Sequence, residues 1–140
     1  MDAYKAATQR IENNPAAFTE KQMTALLTKV AGRDVVKANV GSYLDLKKRG
    51  FRYAGSVSPI WTNVTGTADH GDAVEIVVTR CYDQRAIKAV DKDGNAVDQA
   101  TLGYRIPEFN LRQYQVVKAD GEPQFRIFGL SGPAGDSCHG

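Results

Sequence analysis

The chain has 140 residues, 42% of them apolar and 24% charged, a length that suits one domain and a composition too apolar for a disordered chain. Lys and Arg number 18 against 16 Asp and Glu. That net charge of +2 argues against nucleic acid as a partner, which would need a concentrated basic face.

The first fifty residues read as helix. Ala3, Ala6, Ala7, Ile11 and Tyr4 form an apolar stripe at spacings of three and four, up to Glu12. Asn13-Asn14-Pro15 breaks it, and two starts are open for the second helix. Asn14 can cap a helix with Pro15 at its first position, or Thr19 can cap one with Gln22 at capping-box spacing. Met23, Leu26, Leu27 and Val30 give that helix one apolar face, and Gly32 is expected to stop it. A third helix is predicted over 34–49, with Val35, Val36, Val40, Tyr43, Leu44 and Leu46 inward. Lys47-Lys48-Arg49-Gly50 closes it: cations suit the negative end of the helix dipole, and glycine follows.

From Phe51 the period changes to two. Residues 51–65 carry Val57, Ile60, Trp61 and Val64, and Pro59 marks a bulge or an edge. A turn is expected over 67–72. Residues 73–82 are the clearest strand: Val74, Ile76, Val78 and Tyr82 share one face, while Glu75, Val77, Thr79, Cys81 and Asp83 share the other. A short strand over 85–90 ends at the turn signal Asp93-Gly94, and 95–110 is irregular. Strands over 111–119 and 124–130 flank Asp120-Gly121. Helices first and strands after predict an α+β fold in a single domain over 1–140: helical over 1–50, sheet over 51–130 and tail over 131–140.

Cys81 lies in the strongest strand and Cys138 in a Gly-rich tail that would fray unless tied. A disulfide would tie it and would imply an oxidising compartment; two unrelated thiols are the alternative. Their spacing does not suit zinc. No apolar run approaches the ~20 residues of a membrane span. Met1-Asp2-Ala3-Tyr4 has neither a basic nor an apolar leader region, which fits a cytosolic chain or one lacking its leader or anchor.

The order of elements resembles the NTF2-like (cystatin-like cone) superfamily, in which about three N-terminal helices pack on a curved antiparallel sheet of four to six strands. More narrowly, the chain is similar to small actinobacterial secreted proteins and lipoproteins of unknown function. The residues that carry this are Val74-Glu75-Ile76-Val77-Val78-Thr79-Arg80-Cys81-Tyr82-Asp83, Tyr114-Gln115-Val116-Val117-Lys118-Ala119-Asp120-Gly121 and the terminal cysteine. Phe125 stands where that group is expected to have a tryptophan. The resemblance implies pairing of Cys81 with Cys138, export, and membrane tethering through a segment absent from this chain. Relatives of the fold also serve in secretion and conjugation machines.

Candidate sites are few. His70 and His139 sit in a turn and a tail, where no held geometry for a general base is expected. Asp91-Lys92-Asp93-Gly94-Asn95 resembles the start of a calcium loop, but its glycine comes too early, so a turn is expected and no metal. Lys47, Lys48, Arg49 and Arg52 are the candidate contact for an anionic surface. Asn63-Val64-Thr65 is a glycosylation triplet. Enzymes of the resembled superfamily place a carboxylate base and a phenol inside the cone. Tyr53, Tyr82, Tyr104 and Tyr114 could supply the phenol, and Asp45, Asp83 or Glu108 the carboxylate, but no pair of them forms a motif. The expectation is a non-enzymatic module outside the cytoplasmic membrane, without cofactor. It would bind a protein or a small apolar ligand, or pair with a second copy through the sheet, in an envelope, conjugation-type, phage or mobile-element system. The alternative is a small-pocket enzyme of the polyketide-cyclase or ketosteroid-isomerase type.

Overall fold

The computed structural model describes residues 2–122, 124–135, 137 and 138. Among these it is α+β, with four α-helices, one short 3-10 turn and six strands in two antiparallel sheets. Helix α1 is Asp2–Asn13, α2 Glu20–Thr28, α3 Arg33–Arg49 and α4 Gln99–Leu102. Strands β2 (Ser58–Asp69), β3 (Ala73–Asp83), β5 (Phe109–Ala119) and β6 (Arg126–Gly135) form the larger sheet in the order β2-β3-β5-β6. Strands β1 (Arg52–Ala54) and β4 (Lys88–Val90) pair separately.

Of the two starts open for the second helix, the structure takes Thr19; Asn14 precedes only a short 3-10 turn and makes no side-chain cap hydrogen bond. Pro15–Ala17 forms a 3-10 turn after Asn14, and Thr19 and Gln22 complete the capping box at α2. Gly32 does not stop α2, which ends at Thr28; it stands as the N-cap of α3. Gly50 ends α3 in the left-handed region, at φ 73°, which favours a residue without Cβ.

The faces of β3 are as the alternation predicts. Val78 and Tyr82 are buried against the helices together with Tyr114, Val116 and Ile127 of β5 and β6. Tyr4, Ala7 and Ile11 of α1, Met23 and Leu27 of α2, and Val36 and Val40 of α3 close this core from the other side. The buried stripe of α1 is Tyr4, Ala7, Thr8 and Ile11; Ala3 and Ala6 face outward, contrary to expectation. The helix is therefore rotated toward its polar flank.

The two edges of the larger sheet differ. Along β6, the α2–α3 link docks by main-chain bonds: Gly32 N–H donates to the Ile127 carbonyl (2.7 Å) and Ile127 N–H to that of Val30 (2.9 Å). Strand β2 forms the other edge, bulged between Pro59 and Trp61 and again between Val64 and Gly66. The helices do not cover it, and Val64 is 63% exposed.

The disulfide joins Cys81 and Cys138 across 57 residues, with Cα atoms 5.7 Å apart. Cys81 is on the face of β3 away from the helices yet fully buried. The Trp61 indole N–H donates to the Cys138 carbonyl at 3.0 Å, a second tie on the end of the chain. Strand β6 runs past the expected end at Leu130 as far as Gly135, because Ser131 and Gly135 pair with Gln113 and Leu111 of β5.

Candidate functional site

Between α1, α3, β5 and the 103–108 segment lies a cavity of about 530 Å³. That is within the usual range for small-molecule sites. Four residues of α1 line it: Tyr4 and, at spacings of three and four, Lys5, Thr8 and Glu12. Asn39 and Tyr43 reach in from α3, Tyr53 from β1, and Asn110, Arg112 and Tyr114 from β5.

The segment from Gly103 to Glu108 closes one side. Residue Gln84 holds it: its side-chain amide donates to the Pro107 carbonyl (3.1 Å), and its backbone N–H donates to that of Glu108 (2.7 Å). Asn110 in turn donates to the Gln84 side-chain oxygen at 3.3 Å. The Tyr53 and Tyr104 hydroxyls hydrogen-bond to each other. Both side chains also line a second, surface hollow over α3, so this pair stands between the two spaces.

The cavity is polar. The Tyr43 hydroxyl donates to a Glu12 carboxylate oxygen at 3.1 Å. Asn39 donates to the Tyr4 hydroxyl at 2.8 Å. The Lys5 ammonium lies 4.7 Å from the centre of the Tyr82 ring, and Arg112 Nε donates to the Asn110 side-chain oxygen at 3.2 Å. Burial raises the Glu12 carboxyl above the ordinary glutamate value, a shift that Lys5 and the Tyr43 hydrogen bond oppose. Burial lowers Lys5, which Glu12 opposes and the nearby Arg112 and Arg80 reinforce. The phenols of Tyr4, Tyr43, Tyr53 and Tyr114 are all raised, in each case mainly by burial, so they serve as neutral hydrogen-bonding groups. Such a lining can hold a small molecule by hydrogen bonds and charge, and Glu12 is placed to exchange a proton with one.

The sequence reading placed Tyr53, Tyr104 and Tyr114 as candidate phenols, and the fold brings these three to the cavity. Tyr82 is buried beneath Lys5 and is not part of the wall. The carboxylates named with them lie elsewhere. Asp45 pairs with Arg49 at 3.6 Å on the outer side of α3, outside the cavity but in the surface hollow that Tyr53 and Tyr104 also line. Asp83 is held by Arg85 at 2.7 Å, whose hydrogen bonds lower its carboxyl to about 2. Glu108 is exposed. The cavity carboxylate is Glu12, which that reading treated as the end of an apolar stripe. A signal for it was present: Lys5, Thr8 and Glu12 recur on the side of α1 that also carries Tyr4 and Ile11.

The basic cluster is partly committed to the fold. Lys47 Nζ donates to the Phe18 carbonyl (2.7 Å). Arg49 donates to the carbonyls of Leu102 (2.9 Å) and Thr101 (2.6 Å) at the end of α4 and stacks on Phe51. Lys48 is exposed and Arg52 half-buried on β1. Asp91 receives the backbone N–H groups of Asp93 and Asn95, a turn as expected. His70 lies in an exposed turn beside Glu75, at 3.1 Å. His139 lies outside the described residues. Among the described residues no group of side chains has metal-ligand spacing, and no helix is long and apolar enough to cross a membrane.

No family model matches the chain, and no curated protein matches it. Among solved structures it is similar to the crystal structure of the intermembrane space region of the chloroplast protein ARC6. That alignment has 16% identity and a TM-score of 0.52, covering 96% of this chain and 98% of that one. A solution structure of a de novo β-sheet design aligns over 99% of this chain and 88% of its own, at 14% identity and a TM-score of 0.36. At 16% identity the first likeness is one of fold alone: helices on antiparallel sheet, in α+β order. The disulfide is compatible with an oxidising, extracytoplasmic location.

Proposed function

We propose that this chain is an extracytoplasmic, non-enzymatic module with the NTF2-like cone fold, related to small secreted actinobacterial proteins, and that it holds a small molecule in its interior cavity. The observation that carries the reading is the cavity itself: about 530 Å³ walled by hydrogen-bonding side chains from separate elements. The lining turns the expectation away from an apolar ligand. An apolar guest would displace water from the Lys5 ammonium, which makes no ion pair among the described residues, and offer it no polar contact in exchange. The disulfide supports export, since such bonds persist outside the reducing cytosol.

The test is an amide NMR titration with para-hydroxybenzamide, para-hydroxybenzoate and phenyl phosphate at millimolar concentration. At least one is expected to give saturable shifts at Lys5, Glu12, Tyr53 and Tyr114, abolished by Val57→Trp at the cavity wall. Absence of such shifts with all three probes would overturn the reading.

Glu12 favours a second reading, a carboxylate base of the ketosteroid-isomerase kind. Its raised pKa and its place in a phenol-lined cavity are what a proton-abstracting group needs. Under this reading the methyl protons of para-hydroxyacetophenone exchange with deuterium oxide faster in the presence of the protein than with acetate. Glu12→Gln removes the excess. Equal rates with the protein and with acetate leave the binding reading alone.

A further inference from the structure

We propose that the cavity selects small organic anions with a ring-shaped body, the acidic group seated between the Lys5 ammonium and the Arg112 guanidinium. This rests on the reading of the cavity as a ligand site. Among the described residues, three cations line the space, Lys5, Arg112 and the exposed Arg105, with one carboxylate, Glu12. Four ion pairs occur among the described residues, and neither Lys5 nor Arg112 takes part in one. Arg80, which also lies near Lys5, differs: it donates to Asp2 at 2.7 Å and to Thr62 at 2.7 Å, so its charge is answered within the fold.

A lysine drawn away from solvent near Arg112 and Arg80, with no carboxylate at ion-pair distance among the described residues, is costly. Burial and those neighbours weaken its hold on the proton. Glu12 relieves this only in part, because burial favours its neutral form. A bound anion relieves both cations at once and regains charge-assisted hydrogen bonds. The rings of Tyr53 and Tyr114, with Val57, give the body of the ligand flat apolar surface.

The experiment is calorimetric titration of the unmodified protein with para-hydroxybenzoate, phenyl phosphate and the neutral para-hydroxybenzamide. At least one anion is expected to bind about tenfold or more tightly than the amide. Preference for one anion identifies the acidic group as carboxylate or phosphate. Lys5→Met and Arg112→Met, each checked for folding by circular dichroism, are expected to reduce the preference. An amide that binds as tightly as both anions overturns the selection but leaves the cavity as a ligand site. Failure of all three to bind overturns both. The comparison on the unmodified protein decides the matter even if a variant fails to fold.

Discussion

Replacing Cys81 with Ala and Cys138 with Ser together opens a loop closed across 57 residues. In the chain-entropy treatment, a loop of that length contributes about 4 kcal/mol by restricting the unfolded chain. For 140 residues, unfolding entropy of the usual size converts this to a fall of about 14 °C in the unfolding midpoint. Part of the effect is local. The end of the chain keeps its pairing of Leu111 with Gly135 and the Trp61–Cys138 hydrogen bond, each of them a weak hold by itself. Trp61 is the single tryptophan, so its fluorescence reports directly on release of the tail. The assay is urea unfolding of both proteins followed by that fluorescence and by circular dichroism. Stability within about 1 kcal/mol of the parent would refute the reasoning, because it would mean that the cross-link does not restrict the unfolded chain as its loop length requires.

Ile127→Ala removes a side chain that is 1% exposed where β6 meets the α2–α3 link, and should cost about 3 kcal/mol in urea unfolding. Thr19→Ala removes the side-chain oxygen that accepts the Gln22 N–H, one of the two hydrogen bonds of the capping box, and should cost about 1 kcal/mol, read the same way. Glu12 has a folded pKa above its unfolded value, so wild-type stability falls as pH rises from the ordinary glutamate range through the raised value. Glu12→Gln should therefore match the parent in acid and exceed it near neutrality; a less stable variant at neutral pH would refute this. Lys5 is lowered, so its cost is present at neutral pH and disappears as pH rises through its folded value toward the ordinary lysine range. Lys5→Met should be the more stable protein near neutrality, with the gap closing in alkali, as measured by thermal unfolding across a pH series.

Much of the local structure is legible residue by residue. Thr19 with Gln22, Gly50 after three cations, and the alternation of β3 each rest on short-range chemistry that neighbouring residues supply. Other features depend on partners far along the chain. Helix α4 is four residues long and is held by its Asp98 cap and by Arg49, some fifty positions earlier, so no periodicity announces it. The first strand signal splits into β1 and β2 because Arg52–Ala54 pairs with Lys88–Val90, whereas Ser58–Asp69 pairs with β3. The Gly-rich run after Leu130 is strand because β5 lies beside it.

The site shows the same division more sharply. Tyr53, Tyr104 and Tyr114 were visible as phenols without an address, Glu12 only as the end of an apolar stripe, and Lys5 was not singled out. The sequence by itself determined the α+β order, the helix ends, the faces of β3 and the two cysteines that could be joined, since each follows from local propensity, period and covalent chemistry. Which flank of α1 turns inward was decided by tertiary structure alone. That rotation is set by how Tyr4 and Ile11 pack against α3 and the sheet, and it carries Lys5 and Glu12 to the cavity that Tyr43, Tyr53 and Arg112 complete from distant parts of the chain.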